Sequence, residues 1–171
     1  MGANLPGMPI RPATSADGPA IWAILEPVIR AGETFALDRA MSEDAALRFW
    51  TGPGMEAFVA EEDGVVIGTY YLRANLAGGG GHVCNCGYMV AEAANGRGVA
   101  RALCAHSLEH AKSRGYRAMQ FNCVVGTNER AVRLWQAMGF EILARVPGAF
   151  DHPVHGYVDA LVMHQALRTD A

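Results

Sequence analysis

The sequence has little that would direct the chain to a membrane, a nucleic acid or the secretory route. No apolar run reaches the roughly 20 residues that a membrane-spanning helix needs. The chain carries 14 lysines and arginines against 17 aspartates and glutamates, so no cationic excess attracts nucleic acid or an anionic membrane surface. Residues 1–6 lack the basic and apolar regions of a signal peptide. We therefore expect a cytoplasmic protein without a nucleic-acid or membrane partner.

Cysteine is scarce, and its spacing matches neither a disulfide framework nor a zinc site. The four cysteines are Cys84, Cys86, Cys104 and Cys123. Cys84 and Cys86 are two apart in a strand-like run, so their side chains face the same side and cannot easily form a disulfide. The spacings differ from those of zinc-binding cysteines. We therefore predict buried, reduced thiols and no metal.

The composition indicates a globular chain. Hydrophobic residues make up 51% of the 171 residues and charged residues only 18%, which separates the chain from disordered proteins. This length suffices for one domain with an adequate core. We predict a single domain whose core runs from residue 8 to residue 165.

Hydrophobic periodicity and turn residues predict the element order β-α-α-β-β-β-α-β-α-β-β. Ser15 or Asp17 is expected to cap the first helix. Residues 62–64 are predicted to form a tight hairpin turn and residues 78–81 a flexible glycine loop. Residues 147–156 are predicted to form a loop long enough to be functional. This order indicates a mixed sheet with helices on both faces.

The turn between the strand-like run that ends at residue 90 and the next helix-like run has the composition of a phosphate cradle. Gly96 and Gly98 have no Cβ, so the backbone there can approach an anion closely and point its N–H groups inward. The first turn of the helix adds free donors and the positive end of its dipole. Arg97 and Arg101 add positive charge beside it.

Two segments about thirty residues apart carry the paired signatures of one enzyme family. The run 90–103, VAEAANGRGVARAL, resembles an acyl-CoA pyrophosphate loop, Gln/Arg-x-x-Gly-x-Gly/Ala, with Asn95 at the Gln/Arg position. The run 128–140, NERAVRLWQAMGF, resembles Asn-x-x-Ala-x-x-Leu-Tyr-x-x-x-Gly-Phe, with Trp135 at the Tyr position. Together they resemble the Gcn5-related N-acetyltransferases, and the resemblance covers roughly residues 8 to 165.

This resemblance implies an α/β (α+β) fold with a mixed, mostly antiparallel central sheet and helices on both faces. It implies transfer of an acetyl group from acetyl-CoA, as co-substrate, to an amine by direct attack in a ternary complex. It places the pantetheine beside Met89 and Val90 and gives Asn128 a cofactor contact, although Asn128 could serve only as a helix cap. Backbone N–H groups at the end of the 87–90 strand would donate to the oxyanion. The implied cofactor-binding residues are Met89, Val90, Asn95, Gly96, Arg97, Gly98, Val99, Ala100, Arg101, Asn128 and Trp135.

Trp135 departs from the family in a way that affects the chemistry. In many relatives the Tyr at this position returns a proton to the CoA thiolate, and the weakly acidic indole N–H cannot do so. We interpret Trp135 as a packing wall. If the CoA thiol resembles a cysteine thiol, near pKa 8.5, its departure unprotonated at pH 7 costs about 2 kcal/mol, which slows the step without forbidding it. Tyr88 and Cys123 are fallback donors.

Two asparagines in strand-like runs, Asn85 and Asn122, are candidate catalytic and substrate-binding residues. Amides are depleted in strands, and a buried amide needs hydrogen-bond partners. Their surroundings resemble a branch of the family that acetylates small amino acids and proline analogues, in which strand asparagines bind substrate and polarise the reacting groups. The alternative is a structural ladder of amides. Glu33 and Thr34 lie where relatives place a substrate loop, although an exposed acid such as Glu33 is usually only solvated.

Three late polar residues are weaker candidates. Asp159 in the last predicted strand is a candidate buried acid, and pairing with an arginine is its alternative role. His152 and His155 could line the cleft. Two loop histidines three apart, without acidic company, make a poor metal site.

The acceptor predicted from this pattern is a small-molecule amine, an amino acid or an analogue. Two alternatives stay open: N-acetylation of a protein or peptide, and a non-catalytic module that only binds acyl-CoA. The resemblance also leaves a homodimer open.

Overall fold

The computed structural model describes residues 8–168, and the leader region considered above, residues 1–6, lies outside that range. The described elements follow the predicted order. They are β1 (Ile10–Pro12), α1 (Gly18–Ala31), α2 (Glu43–Thr51), β2 (Glu56–Glu62), β3 (Val65–Ala74), β4 (Val83–Val90), α3 (Val99–Ser113), β5 (Ala118–Val125), α4 (Glu129–Ala137), β6 (Glu141–His152) and β7 (Gly156–Ala166).

The strands form a seven-stranded mixed sheet in the order β1-β2-β3-β4-β5-β7-β6. Every neighbouring pair is antiparallel except β4 and β5, which run parallel. That parallel ladder contains only two pairs, Val83 with Ala118 and Cys84 with Met119. Beyond it β4 stays paired with β3 and β5 stays paired with β7, so the sheet remains continuous on one side and opens into a fork on the other.

Two hydrophobic clusters bury the two faces of the sheet. On one face α1 and α2 contribute Ile21, Leu25 and Trp50, which pack with Tyr71 from β3. On the other face α3 contributes Leu103, which packs among side chains of the central strands, and α4 packs against the same cluster through half-buried side chains. Helices therefore cover both faces, as predicted from the element order.

The start of α1 differs from the prediction that a Ser15 or Asp17 side chain caps it. A 3₁₀ turn, Ser15–Asp17, precedes the helix, and Asp17 occupies the N-cap position without a side-chain cap hydrogen bond. The Asp17 carboxylate instead accepts from Arg11 at 2.8 Å and from the Thr14 backbone N–H at 2.7 Å. Arg11 holds the pKa of Asp17 well below its usual range. The ion pair therefore turns this carboxylate toward β1 instead of the helix.

The expected loop at residues 147–156 is wrong, because most of this segment is strand. β6 continues to His152, and β7 begins at Gly156. The β6–β7 register is irregular between Val146 and Phe150, which accommodates the proline and glycine of this stretch. β6 is an edge strand, and an edge tolerates proline and bulges that a central strand does not.

The two predicted glycine turns have different outcomes. Asp63 and Gly64 both have positive φ, 50° and 78°, as a two-residue hairpin with a type I′ turn requires. The tight turn is therefore confirmed. The predicted flexible loop at residues 78–81 instead contains a 3₁₀ turn, Gly78–Gly80.

A buried hydrogen-bond chain fixes α2 to the sheet and generates a stability prediction. The Trp50 indole N–H donates to Thr69 Oγ1 at 2.9 Å, and that hydroxyl donates to the Phe58 carbonyl oxygen at 2.8 Å. Thr69→Val keeps the shape but leaves the buried indole donor unpaired, so we expect it to lower the free energy of unfolding by about 1–3 kcal/mol.

Chemical denaturation of Thr69→Val and of a matched control, Thr51→Val, measures this effect. The Thr51 hydroxyl is exposed and bonds only within its own helix, to the Leu47 carbonyl oxygen, so the control should change stability by no more than about 0.5 kcal/mol. Equal stability losses in the two variants would contradict the prediction.

Candidate active site

The fork between β4 and β5 opens into a cavity of 590 Å³. Its walls come from β4, β5 and α4, and it extends to the connector between α1 and α2. The β5–β7 register shifts between Phe121 and Val124, so Asn122 and Cys123 form a bulge. A bulge bends its strand and redirects side chains. Both bulge residues line the cavity, although neighbours in a regular strand would face opposite sides.

The predicted cradle adopts the backbone geometry that anion binding requires. Gly96 and Gly98 have φ of 79° and 83°, in the left-handed region, and Gly98 is the N-cap of α3. Ala102 N–H donates to the Gly98 carbonyl oxygen at 3.0 Å, which begins the helical ladder. The three N–H groups before Ala102 have no partner within the helix and are available to a ligand. Asn95 and Ala100 from this turn line the cavity.

The arginines around the cradle are arranged differently from the prediction. Arg97 pairs with the Glu62 carboxylate at 2.6 Å and does not line the cavity, and Arg101 is exposed with Nη1 3.5 Å from Met138 Sδ. Arg130 from α4, which sequence reasoning missed, lines the cavity. A Cβ built on Gly96 would lie 4.0 Å from Arg130 Nη2. The sequence did contain a signal for Arg130, since this residue lies inside the run 128–140, the second signature.

The middle of the cavity is formed by strand backbone and by the start of α4. Met89 and Val90 line it from the part of β4 that has no β5 partner, so β4 backbone groups facing the fork are open to a ligand. Asn128 Oδ1 accepts from the Ala131 N–H at 3.3 Å, which confirms the predicted helix cap. Asn128 also lines the cavity, so capping and ligand contact are compatible.

Trp135 stands in an aromatic wall beside the fork. Its ring centroid lies 5.0 Å from that of Tyr88 and 5.3 Å from that of Phe121. The Tyr88 hydroxyl lies 2.7 Å from Ser107 Oγ, and burial raises the pKa of Tyr88 well above its usual value. Both facts weaken Tyr88 as a fallback acid.

Cys123 corrects the expectation that all four thiols are buried. It is exposed, whereas Cys84, Cys86 and Cys104 are buried. Desolvation by its neighbours raises the pKa of the Cys123 thiol, so the thiol is protonated at neutral pH. Its position on the cavity wall keeps it a fallback donor.

The two predicted asparagines lie on opposite arms of the fork, and both line the cavity. Asn85 follows the last β4–β5 pair; its amide donates to the Gln120 carbonyl oxygen at 2.9 Å, and its Oδ1 accepts from the Tyr71 hydroxyl at 3.2 Å. Asn122 donates to Asn75 Oδ1 at 2.7 Å and accepts from the Gln120 amide at 3.0 Å. Both side chains therefore belong to amide networks that also stabilise the fork.

The far end of the cavity is mostly aromatic. Thr34 lines it as predicted, while Glu33 is exposed and does not. Four further lining residues were missed by the sequence analysis, namely Phe35, Phe49, Tyr71 and Arg73. Tyr71 and Arg73 alternate along β3, so the period of two could have placed them on one face. The aromatic residues of α2 and the preceding connector carried no comparable signal.

The late candidates lie outside the cavity. Asp159 pairs with Arg145 at 3.1 Å, so the arginine alternative is confirmed. The Gly148 N–H and the Arg145 guanidinium lower the pKa of this carboxyl. His152 is buried, and its Nδ1 accepts from the backbone N–H groups of Val154 and His155. These residues order the β6–β7 hairpin instead of the cleft.

Within residues 8–168, no helix is both long enough and apolar enough to cross a membrane. No three His, Cys, Asp or Glu side chains there are grouped closely enough to hold a metal ion.

Comparison with known proteins places this arrangement in a family. The sequence model of the acetyltransferase (GNAT) family matches residues 22–140. A GCN5-related N-acetyltransferase of known structure from Kribbella flavida is 44% identical, with a TM-score of 0.89 over 94% of this chain and 98% of its own. The N-acetyltransferase aca1 of Schizosaccharomyces pombe is 28% identical over 151 residues, 78% of this chain and 72% of its own length.

A third similar protein is a GNAT superfamily phosphinothricin acetyltransferase from Sinorhizobium meliloti, whose structure was solved in complex with AcCoA. It is 26% identical, with a TM-score of 0.81 over 93% of this chain and 88% of its own. The family match spans well over half of the chain and includes the cradle, the fork and α4. The chain therefore belongs to the acetyltransferase (GNAT) family and is an N-acetyltransferase.

Proposed function

We propose that this enzyme uses acetyl-CoA to acetylate the amine of a small molecule, an amino acid or an analogue, by direct attack in a ternary complex. One observation carries the proposal: a single cavity connects the glycine cradle, the open arm of β4 and an aromatic end beside the α1–α2 connector. Such a cavity would bring a cofactor and an acceptor into one shared space, as direct attack requires.

The residues present fit acetyl-CoA, which supplies the activated acetyl thioester. The left-handed Gly96 and Gly98 and the free N–H groups of α3 suit a pyrophosphate, and Arg130 adds a cation beside them. Met89 and Val90 offer apolar and backbone contacts for a pantetheine arm. The AcCoA complex of the Sinorhizobium meliloti relative supports this assignment.

The chain's own groups would orient the acceptor and stabilise developing charge. Open N–H groups on β4 between Gly87 and Val90 would donate to the oxyanion. Asn85 and Asn122 approach the reaction zone from the two arms of the fork and would hold the acceptor and polarise the reacting groups. Trp135 would exclude water without donating the proton that a Tyr would provide.

The aromatic end of the cavity favours a small acceptor over a protein. Phe35, Phe49 and Tyr71 wall this end, and Phe49 and Tyr71 meet edge to face at 5.7 Å. A cationic lysine chain from a protein would need an anion here, yet within the described part of the chain no lining residue is an aspartate or a glutamate. Thiol release from acetyl-CoA on addition of an amine panel distinguishes the enzyme from a non-catalytic acyl-CoA module.

We further propose that the chain is one domain, acts in the cytoplasm and has no nucleic-acid or membrane partner. The net charge of −3 and the unpaired cysteines support this proposal.

The cradle assignment predicts that Gly98→Val weakens acetyl-CoA binding by roughly tenfold or more. A Cβ at a left-handed position strains the turn and blocks backbone approach to phosphate. Isothermal titration calorimetry measures the affinity. Gly54→Val is the matched control, since Gly54 has nearly the same φ, 82°, with open space around its Cβ position. Unchanged affinity in a folded Gly98→Val variant would show that the cradle is misassigned.

The asparagine assignment predicts that Asn85→Ala and Asn122→Ala lower kcat well beyond any change in acetyl-CoA affinity. Each removes an amide that faces the reaction zone. Steady-state kinetics and calorimetry on the same preparations separate the two effects, and denaturation reports the structural cost of each lost network. Near-normal turnover in both folded variants would leave these residues with structural roles alone.

The missing acid and base predict a simple pH profile. At pH 7 an ε-amine near pKa 10.4 loses its proton at a cost of about 4.6 kcal/mol, whereas a peptide-like α-amine near pKa 8 needs only about 1.4 kcal/mol. A free amino acid falls between them, so the site should prefer an α-amino or imino acid nitrogen over a lysine ε-amine, with water carrying the proton. The rate should rise with pH toward the pKa of the substrate amine.

Assays of α-blocked lysine and a free small amino acid from pH 6 to pH 10 test this profile. Faster acetylation of the ε-amine throughout would contradict it. A bell-shaped profile centred near neutrality would also contradict it, because such a curve requires an acid–base pair in the enzyme.

A further inference from the structure

Arg73 is a positively charged residue at the acceptor end of the cavity, and no described residue pairs with its charge. It lies on β3, lines the cavity and is half-buried. Its Nε is buried and has no hydrogen-bond partner in the structure. Within residues 8–168 it forms no ion pair. A buried guanidinium N–H without an acceptor is costly, so its persistence points to a ligand.

The surroundings of Arg73 supply no negative charge. Across the β3–β4 ladder its register partner is the neutral amide Asn85. Tyr71 lies beside it, and burial raises the pKa of Tyr71 to about 12, so this phenol is uncharged at neutral pH. None of the described residues that line the cavity is an aspartate or a glutamate. The charge of Arg73 is therefore uncompensated by its neighbours in the cavity.

Arg73 is also held in place before a ligand arrives. Its guanidinium carbon lies 5.9 Å from the centroid of the Tyr71 ring. That ring is fixed edge to face on Trp50 at 4.8 Å, and its hydroxyl donates to Asn85. A guanidinium on a fixed platform loses little freedom when it binds a planar, bidentate anion.

The charged residues of the cavity lie at its two ends. Arg130 stands beside the cradle, where phosphates are proposed to bind, and Arg73 stands among the acceptor-end aromatics. Among residues 8–168 they are the two charged side chains that line the cavity. This separation assigns a different anion to each arginine, since the first lies at the cofactor end.

We infer that Arg73 binds a carboxylate of the acceptor, which makes the substrate a small molecule that carries both an amine and a carboxylate. The inference rests on the proposed function. The planar guanidinium matches a carboxylate in two parallel hydrogen bonds, and beside aromatic walls such charge-assisted bonds are strong. Arg73 is then a specificity-determining residue that separates amino acids from plain amines.

A substrate pair tests the inference on the unmodified enzyme. The amine panel pairs each amino acid with its carboxamide. The carboxamide lacks the negative charge but has nearly the same size and shape. The carboxamide has the less basic amine, so chemistry alone would favour it at neutral pH. We expect the free acid to be preferred by at least tenfold in kcat/KM. Equal or reversed preference would overturn the inference.

Variants identify the residue that confers the preference. Arg73→Gln should lower kcat/KM for the free acid by tenfold or more, change the value for the carboxamide less than threefold, and leave the KM for acetyl-CoA unchanged. Arg73→Lys should retain part of the preference. The matched control is Arg133→Gln, since Arg133 lies on the exposed face of α4 and pairs with Glu129 at 3.0 Å. This variant should retain the full preference for the free acid.

The outcomes separate the two proposals. Absence of thiol release with every amine would refute the proposed function. Acetylation of amines without a carboxylate preference would refute only the role of Arg73. An equal loss for acid and carboxamide in Arg73→Gln would indicate a structural role and would also overturn the inference. If Arg73→Gln does not fold, the substrate pair and Arg73→Lys decide.

Discussion

The whole site depends on how briefly β4 and β5 pair. Two parallel residue pairs join the halves of the sheet, and the strands then separate. β4 stays in unbroken register with β3, whereas β5 bulges against β7 at Asn122 and Cys123. The bulge therefore bends β5 away while β4 stays straight. A longer ladder would fill the cavity with backbone hydrogen bonds and leave no open arm for a ligand.

The polarity of the cavity is determined by the side chains that line the fork. Among the residues that the structure describes, its wall contains asparagines, aromatic rings, two cysteine thiols and two arginines, but neither an aspartate nor a glutamate. An amine that enters must lose its proton without a carboxylate to take it, and a cationic amine meets no anion to hold it. The same composition suits ligands that bring their own negative charge. The proposed acetyl-CoA site at one end and the proposed anionic acceptor at the other would thus be two consequences of one electrostatic pattern.

Local chemistry was readable from the sequence, and long-range placement was not. The left-handed turn at Gly96 and Gly98 and the Asn128 cap were predictable, because glycine geometry and helix ends are properties of adjacent residues. The position of Arg73 on the cavity wall was not predictable, because it depends on the residues that surround Arg73 once β3, β4 and α2 pack together. Part of the β6–β7 hairpin was predicted as a loop because proline and glycine are typical of loops in a sequence. An edge strand accommodates both residues. Asp17 failed as a cap for a similar reason, since Arg11 lies close only in the folded chain.

Asn85 shows how stability and chemistry become linked at the fork. Its amide spans the gap to the Gln120 carbonyl oxygen directly beyond the last ladder pair, so it closes the base of the opening. Its oxygen is occupied by Tyr71, the ring that supports Arg73. The Asn85 amide therefore links β4 to β5. Through its hydrogen bond with Tyr71, it also supports the aromatic end of the cavity. A buried network of this kind loses more than one bond when a member is removed. The Asn85 link and the proposed reaction zone therefore share the fork, where unpaired β4 backbone lies beside a strand that stays in register with β3.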